Sequence, residues 1–121
     1  MAKVLICDDS FFQRKIVSDI LNENGHDVIA VSDGNEAIEK ISAMGKEIEC
    51  ALFDVLMPGI TGPELLAKVK NIMPELPVIM LSADIQDSRK KECFDLGAID
   101  FLNKPAKKEE LLGAISKAIS G

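Results

Sequence analysis

Five side chains that could act together on a phosphate group follow apolar segments of this 121-residue chain. They are Asp8, Asp9, Asp54, Ser82 and Lys104. A carboxylate can act as a nucleophile or as a ligand of a hard metal ion, while a hydroxyl and an ammonium group can hold phosphoryl oxygens. Together these types predict phosphoryl transfer to a carboxylate, a reaction in which catalysis consists mainly of positioning and charge neutralisation.

The segments that must position these residues alternate between short apolar runs and stretches of helical periodicity. The runs predict five strands, at residues 4–7, 28–31, 50–53, 77–81 and 99–102. The stretches after the strands predict five helices. The first runs from Phe12 to a stop at Asn24-Gly25, the second covers residues 36–44, the third begins at Gly62-Pro63, the fourth covers 87–96 and the fifth covers 109–119.

This alternation predicts an α/β fold in which helices cover both faces of a parallel five-stranded sheet. Of the doubly wound arrangements, the flavodoxin-like order 2-1-3-4-5 suits five strands, with a switch point between strands one and three. Strands one, three, four and five are then neighbours, so the five side chains should line one crevice. Residues 1–121 are expected to form a single domain, because a chain of this length has no room for a second.

Each polar residue also has an ordinary structural explanation, because Asp and Ser are common at strand ends as helix caps and turn formers. Their joint placement favours the functional interpretation. Three carboxylates at one point would repel one another, and a divalent cation would relieve the repulsion. The oxygen-only donor set of Asp8, Asp9 and Asp54 favours Mg²⁺ over zinc or copper.

The composition limits the possible partners and locations. Fourteen basic against twenty acidic residues give a net charge of −6, which argues against direct binding of nucleic acid. No apolar run approaches the roughly 18 residues of a membrane span, so a cytoplasmic protein without membrane insertion is expected. Cys7, Cys50 and Cys93 lack metal-ligand spacing and are expected to be free thiols.

The segments around these residues resemble the receiver domains of the response-regulator family. Within this family they are similar in kind to the stand-alone chemotaxis regulators of CheY type. The resemblance covers essentially the whole chain and rests on the segments LICDDS, LFDVLMPGITG, VIMLSA and GAIDFLNKP. It implies a two-component signalling protein that accepts a phosphoryl group from a sensor histidine kinase or a phosphotransfer protein. Such a protein assists its own phosphorylation and dephosphorylation and is not a turnover enzyme.

The resemblance also implies the roles of individual residues. Asp54 would be the phosphoacceptor. Asp8, Asp9, Asp54 and the main-chain carbonyl of Leu56 would hold Mg²⁺. Leu56 and Asp84 would tune the lifetime of the phosphorylated state, because Leu56 can shield the phosphoryl group and Asp84 can repel an anionic donor or orient a water.

Signal output is implied to pass through two switch residues, Ser82 and Phe101. Lys104 would pair with the acyl phosphate, Ser82 would move to hydrogen-bond it, and Phe101 would turn inward as Ser82 moves. A downstream protein would then bind the face formed by helix four, strand five and helix five. The Lys104-Pro105 peptide bond is expected to be cis.

Alternative functions remain open at this point. A phosphatase of the haloacid-dehalogenase type also uses a nucleophilic Asp, a Lys and Mg²⁺, but it carries a second Asp two residues after the nucleophile, where this chain has Leu56. A flavin-binding module would meet two negative charges at Asp8 and Asp9 and would find no Trp or Tyr to stack on the ring. A receiver used only for protein contact, and a receiver fragment of a larger multidomain regulator, complete the alternatives.

Overall fold

The structure is a computed structural model that describes residues 2–84 and 88–120. Within this part of the chain, five strands alternate with five helices. The strands are β1 (Lys3–Cys7), β2 (Asp27–Val31), β3 (Cys50–Asp54), β4 (Val78–Ser82) and β5 (Asp100–Asn103). The helices are α1 (Phe11–Glu23), α2 (Gly34–Met44), α3 (Gly62–Ile72), α4 (Lys90–Asp95) and α5 (Lys108–Ser120), with a 3-10 turn at Gly45–Glu47.

The strands form one parallel sheet in the order β2-β1-β3-β4-β5, which confirms the predicted flavodoxin-like topology. Strand β1 lies between β2 and β3, and the chain therefore reverses its direction of winding next to β1. The carboxyl ends of β1 and β3 flank this switch point, which is where ligands bind in open parallel sheets.

Two apolar layers hold the helices to the sheet, one on each face. Helices α2, α3 and α4 cover the face that carries Phe53, while α1 and α5 cover the face that carries Leu52. Neighbouring strand residues point to opposite faces, so a central strand such as β3 must be apolar along its whole length. All five residues of β3 are buried, including Asp54 at its end.

The starts of α1, α2 and α3 are fixed by side-chain caps close to the carboxyl edge of the sheet. Ser10 accepts from the main-chain N–H of Gln13, and Asp33 accepts from that of Glu36. Thr61 and Glu64 form a reciprocal capping box at the start of α3. These caps orient the loops that follow β1, β2 and β3.

Helix α4 is shorter than the periodicity predicts. The prediction of a helix over 87–96 is wrong at its start, because Ser88 and Arg89 form a turn and the helix begins at Lys90. Arg89, the residue before the first turn, forms no side-chain cap hydrogen bond. Asp87 lies outside the described residues.

Other sequence predictions concern the cysteines and the membrane. Cys7, Cys50 and Cys93 are free and buried, as predicted. Burial raises the pKa of the Cys50 thiol to about 12. Among the described residues, no helix combines the length and the apolar character needed to cross a membrane.

Candidate phosphoacceptor and metal site

The carboxyl edge of the sheet brings the predicted residues together because each lies at or just beyond the end of a strand. Asp8 and Asp9 follow β1, Asp54 ends β3, and Ser82 ends β4. Lys104 follows β5, and its main-chain N–H donates to the Ser82 carbonyl at 2.6 Å. Within residues 2–84 and 88–120, the buried polar side chains are those of Asp8, Asp54 and Ser82.

Lys104 bridges two of the acidic residues. Its Nζ lies 2.7 Å from Asp8 Oδ2 and 3.1 Å from Asp54 Oδ2. All three side chains are largely withdrawn from water, with 11%, 3% and 8% of their surfaces exposed. An ammonium group held between two buried carboxylates neutralises part of their charge and is placed to do the same for an anionic group attached to Asp54.

Asp54 is an ionisable group in an environment that disfavours its charge. Burial raises the pKa of Asp54 above its ordinary value, and the nearby Asp8 carboxylate acts in the same direction. The Lys104 ammonium and the main-chain N–H of Leu56 oppose this rise in the pKa. A cation near Asp54 would therefore favour the charged, nucleophilic form of this carboxylate.

Three carboxylates at the switch point fit a hard divalent cation. Oxygen atoms of Asp8, Asp9 and Asp54 all lie within 4.8 Å of one another. One Lys104 charge cannot balance three carboxylates, so the cluster retains an excess of negative charge. Carboxylate oxygens are the ligands that Mg²⁺ takes in proteins, usually one or two at a time with waters completing its shell. The residues present therefore fit Mg²⁺.

Ser82 faces its own loop in this structure. Its hydroxyl accepts from the main-chain N–H of Asp84 at 3.1 Å and donates to the Asp84 carbonyl at 3.2 Å. The Asp84 side chain is exposed at the rim of the site. Ser82 lies on β4, which pairs with β3, one residue beyond the partner of Asp54, and its hydroxyl is engaged in this turn.

The predicted tuning and switch residues lie on different surfaces. Leu56 is 59% exposed and lies two residues beyond Asp54. Phe101 is half-buried on β5 and packs against the core layer under α2, α3 and α4. The Lys104-Pro105 peptide bond is cis, as the family resemblance implies.

Arg14 also contacts this region, although no sequence pattern predicted that contact. Its guanidinium Nη1 donates to the main-chain carbonyl of Asp8 at 2.7 Å, and it lies 5.9 Å from the centre of the Phe11 ring. No spacing rule marks a side chain that reaches back from a helix to a carbonyl. The sequence therefore held no signal for this contact.

Gly62 also allows close packing of α3 against β3, in addition to its predicted role at the start of α3. A Cβ atom at this position would meet the Asp54 carbonyl and would lie 2.7 Å from the Cα of Val55. The main-chain N–H of Gly62 donates to the Val55 carbonyl at 2.9 Å. Helix α3 can approach the end of β3 this closely only because residue 62 has no side chain.

Comparison with known proteins agrees with this geometry. The sequence profile of the family described as response regulator receiver domain matches residues 4–116. The chain belongs to this family. Receiver domains of response regulators interact with histidine kinases and with downstream effectors. The family assignment favours the receiver over the phosphatase and flavin-binding alternatives.

Individual relatives include both short and long proteins. The receiver is 34% identical over 119 residues to the chemotaxis protein CheY of Bacillus subtilis, covering 98% of each chain. It is 36% identical over 111 residues to the two-component response regulator-like PRR37 of rice, and the alignment spans only 15% of that longer protein. A receiver domain structure from Clostridium thermocellum superposes with a TM-score of 0.94 at 27% identity, covering 99% of this chain and 95% of that one.

Proposed function

We propose that Asp54 of this receiver accepts a phosphoryl group from the phosphohistidine of a sensor histidine kinase or a phosphotransfer protein. A carboxylate oxygen of Asp54 attacks phosphorus, the phosphorus–nitrogen bond of the donor breaks, and the departing imidazole takes up a proton. The observation that carries this proposal is the buried contact of Lys104 with both Asp54 and Asp8. It joins a nucleophile to a fixed positive charge at the switch point of the sheet.

Mg²⁺ would be held by the carboxylates of Asp8, Asp9 and Asp54 and by the main-chain carbonyl of Leu56. When bound, it would neutralise the negative charge of the phosphoryl oxygens. The proximity of the three carboxylates supports this assignment, since each lies within reach of a shared cation. Asp54 would thus be both ligand and nucleophile.

Two side chains would bind the phosphoryl group after transfer. Lys104 needs little movement, because its ammonium group already lies 3.1 Å from Asp54 Oδ2. Ser82 would exchange its hydrogen bonds with Asp84 for one to a phosphoryl oxygen. Since Ser82 and the backbone of Lys104 are hydrogen-bonded, this exchange would displace the ends of β4 and β5 together.

The output would be a two-state change that reaches the face formed by α4, β5 and α5. Phe101 is the proposed switch residue on this face, because it lies on β5, three residues before Lys104, and is only half-buried. A downstream protein, and not a nucleic acid or a membrane, is the proposed reader of this face. Residues 1–121 would act as one receiver domain at a cytoplasmic location.

Leu56 and Asp84 are proposed to set how long the phosphate survives. Leu56 is exposed beside Asp54 and offers no acid or base to activate a water. This supports a phosphate that is held as a signal and argues against steady turnover of phosphate esters. Leu56→Asn should change the rate of autodephosphorylation several-fold, and an unchanged lifetime would remove this part of the proposal.

Incubation with acetyl phosphate or beryllium fluoride in the presence of Mg²⁺ tests the central claim. Intact-protein mass spectrometry should show addition of one phosphoryl group, and amide spectra should shift with beryllium fluoride. The matched control is Asp54→Asn, which should show neither response. A parent protein that gives no Mg²⁺-dependent response, or an Asp54→Asn variant that is still phosphorylated, would refute the assignment.

A further inference from the structure

The β1–α1 loop, residues 8–10, carries two of the three clustered carboxylates, and Arg14 reaches back to it from the first turns of α1. The guanidinium Nη1 donates to the Asp8 carbonyl at 2.7 Å. We propose that Arg14 is a positioning residue for the cation site: by holding this carbonyl it fixes the loop that presents Asp8 and Asp9. The inference rests on the proposed function, because it requires that the site bind a cation.

Asp8 is held from four directions, and Arg14 provides one of them. Its main-chain N–H donates to the Val31 carbonyl at 3.2 Å, which ties it to β2. Its two carboxylate oxygens accept from the main-chain N–H of Ser10 at 2.9 Å and from Lys104 Nζ at 2.7 Å. The carbonyl group lies beyond the last rung of the sheet and is held by Arg14. Removing Arg14 would release this one group of an otherwise immobile residue.

The Asp8 carbonyl matters for Asp9 because both belong to one rigid unit. The peptide bond is planar, so the carbonyl of Asp8 and the N–H of Asp9 turn together. Asp9 is exposed, and its orientation depends on the plane of this peptide group. By fixing this peptide plane, Arg14 would limit the positions from which the Asp9 carboxylate can reach the cation site, without touching that carboxylate.

The guanidinium group suits this task better than an ammonium group would. It is half-buried and lies against the exposed Phe11 ring, 5.9 Å from the ring centre, while one nitrogen remains on the Asp8 carbonyl. A planar guanidinium can stack on an aromatic ring and donate in its own plane at the same time. Lys at this position could form one of these contacts but not both in the same geometry.

Mg²⁺ titrations followed by amide chemical shifts of the β1–α1 loop test the role of Arg14. This readout needs no aromatic reporter, which suits a chain without Trp or Tyr. Arg14→Met keeps an unbranched side chain of helix-compatible type and removes the donor, and we expect about tenfold weaker Mg²⁺ binding, as for other residues that orient metal ligands. The control is Lys15→Met, which removes a positive charge from an exposed ion pair with Asp19 on the same helix. We expect it to change the affinity less than twofold.

Phosphorylation kinetics separate positioning from a general loss of structure. In Arg14→Met, the Mg²⁺ concentration for half-maximal phosphorylation by acetyl phosphate should rise about tenfold, while the rate at saturating Mg²⁺ stays within twofold. A damaged fold would instead lower the saturated rate. Arg14→Lys should lie between the parent and Arg14→Met, and it serves as the test if Arg14→Met does not fold.

The possible results distinguish this inference from the proposed function. A parent protein whose loop amides do not respond to Mg²⁺ contradicts the proposed function itself. A parent that binds Mg²⁺ together with Arg14 variants of unchanged affinity contradicts the role of Arg14 alone. Equal weakening in the Arg14 and Lys15 variants would also contradict it, because the effect would then come from general charge.

Discussion

The two edges of the sheet use polar side chains in opposite ways. At the carboxyl edge, Lys104 contacts two buried carboxylates, and Asp54 is held where burial and a like charge disfavour its ionised form. At the amino edge, Lys70 donates to the main-chain carbonyls of Leu76 at 2.6 Å and Pro74 at 3.3 Å. The carboxyl edge retains an excess of negative charge, while at the amino edge the Lys70 ammonium group donates to uncharged carbonyl oxygens. The difference agrees with the proposed chemistry at one edge and suggests a purely structural role for Lys70 at the other.

Removal of the ammonium group at the carboxyl edge should have the largest functional effect. Lys104→Met takes away the charge that would neutralise the phosphorylated Asp54, and we expect phosphorylation by acetyl phosphate to slow about a hundredfold, typical for loss of one electrostatic contact to a transition state. The measurement is the rate of mass gain at saturating Mg²⁺, with circular dichroism to verify folding. A folded variant with the rate of the parent would show that Lys104 has no role in the transfer.

A methyl group at the contact between α3 and β3 should cost stability. In Gly62→Ala the new Cβ would overlap the end of β3 beside Asp54, and we expect the free energy of unfolding to fall by about 1–3 kcal/mol, the usual cost of overpacking. Urea denaturation gives the value.

Gly113→Ala is the matched control for Gly62→Ala. Gly113 lies on α5, and its added Cβ would meet nothing within 4 Å. We expect it to raise the free energy of unfolding by roughly 0.5–1 kcal/mol, because Ala is the better helix former. Equal effects of the two substitutions would mean that the close approach at Gly62 is not a constraint.

The smallest effect on function is expected at the amino edge, where only stability should change. Lys70→Met leaves the carbonyls of Leu76 and Pro74 without their charged donor, and the free energy of unfolding should fall by about 1–2 kcal/mol, the net value of these two hydrogen bonds. Its phosphorylation rate should equal that of the parent. A slower phosphorylation rate with an unchanged free energy of unfolding would contradict the proposal that the two edges have separate roles.

Sequence patterns predict the sheet and the clustered side chains for the same physical reason. Apolar runs that end in Asp8, Asp54 and Ser82 identify strands, and parallel strands bring their carboxyl ends to one edge. The prediction fails where the cause is not periodic. The turn before α4 has no cap to mark it, and the contact of Arg14 with the Asp8 carbonyl depends on a side-chain conformation. The hydrogen bonds between Ser82 and Asp84 are likewise visible only in three dimensions.

The short main-chain hydrogen bond from Lys104 to the Ser82 carbonyl bears on how information leaves the domain. Since it ties the backbones of the two residues proposed to bind the phosphate, neither strand end can shift far while the other stays. Each molecule should then be fully on or fully off, with no stable half-activated form. A graded cellular response would then arise from the fraction of molecules that carry phosphate. The strength of the signal would depend on the number of phosphorylated molecules and not on the extent of the structural change within each one.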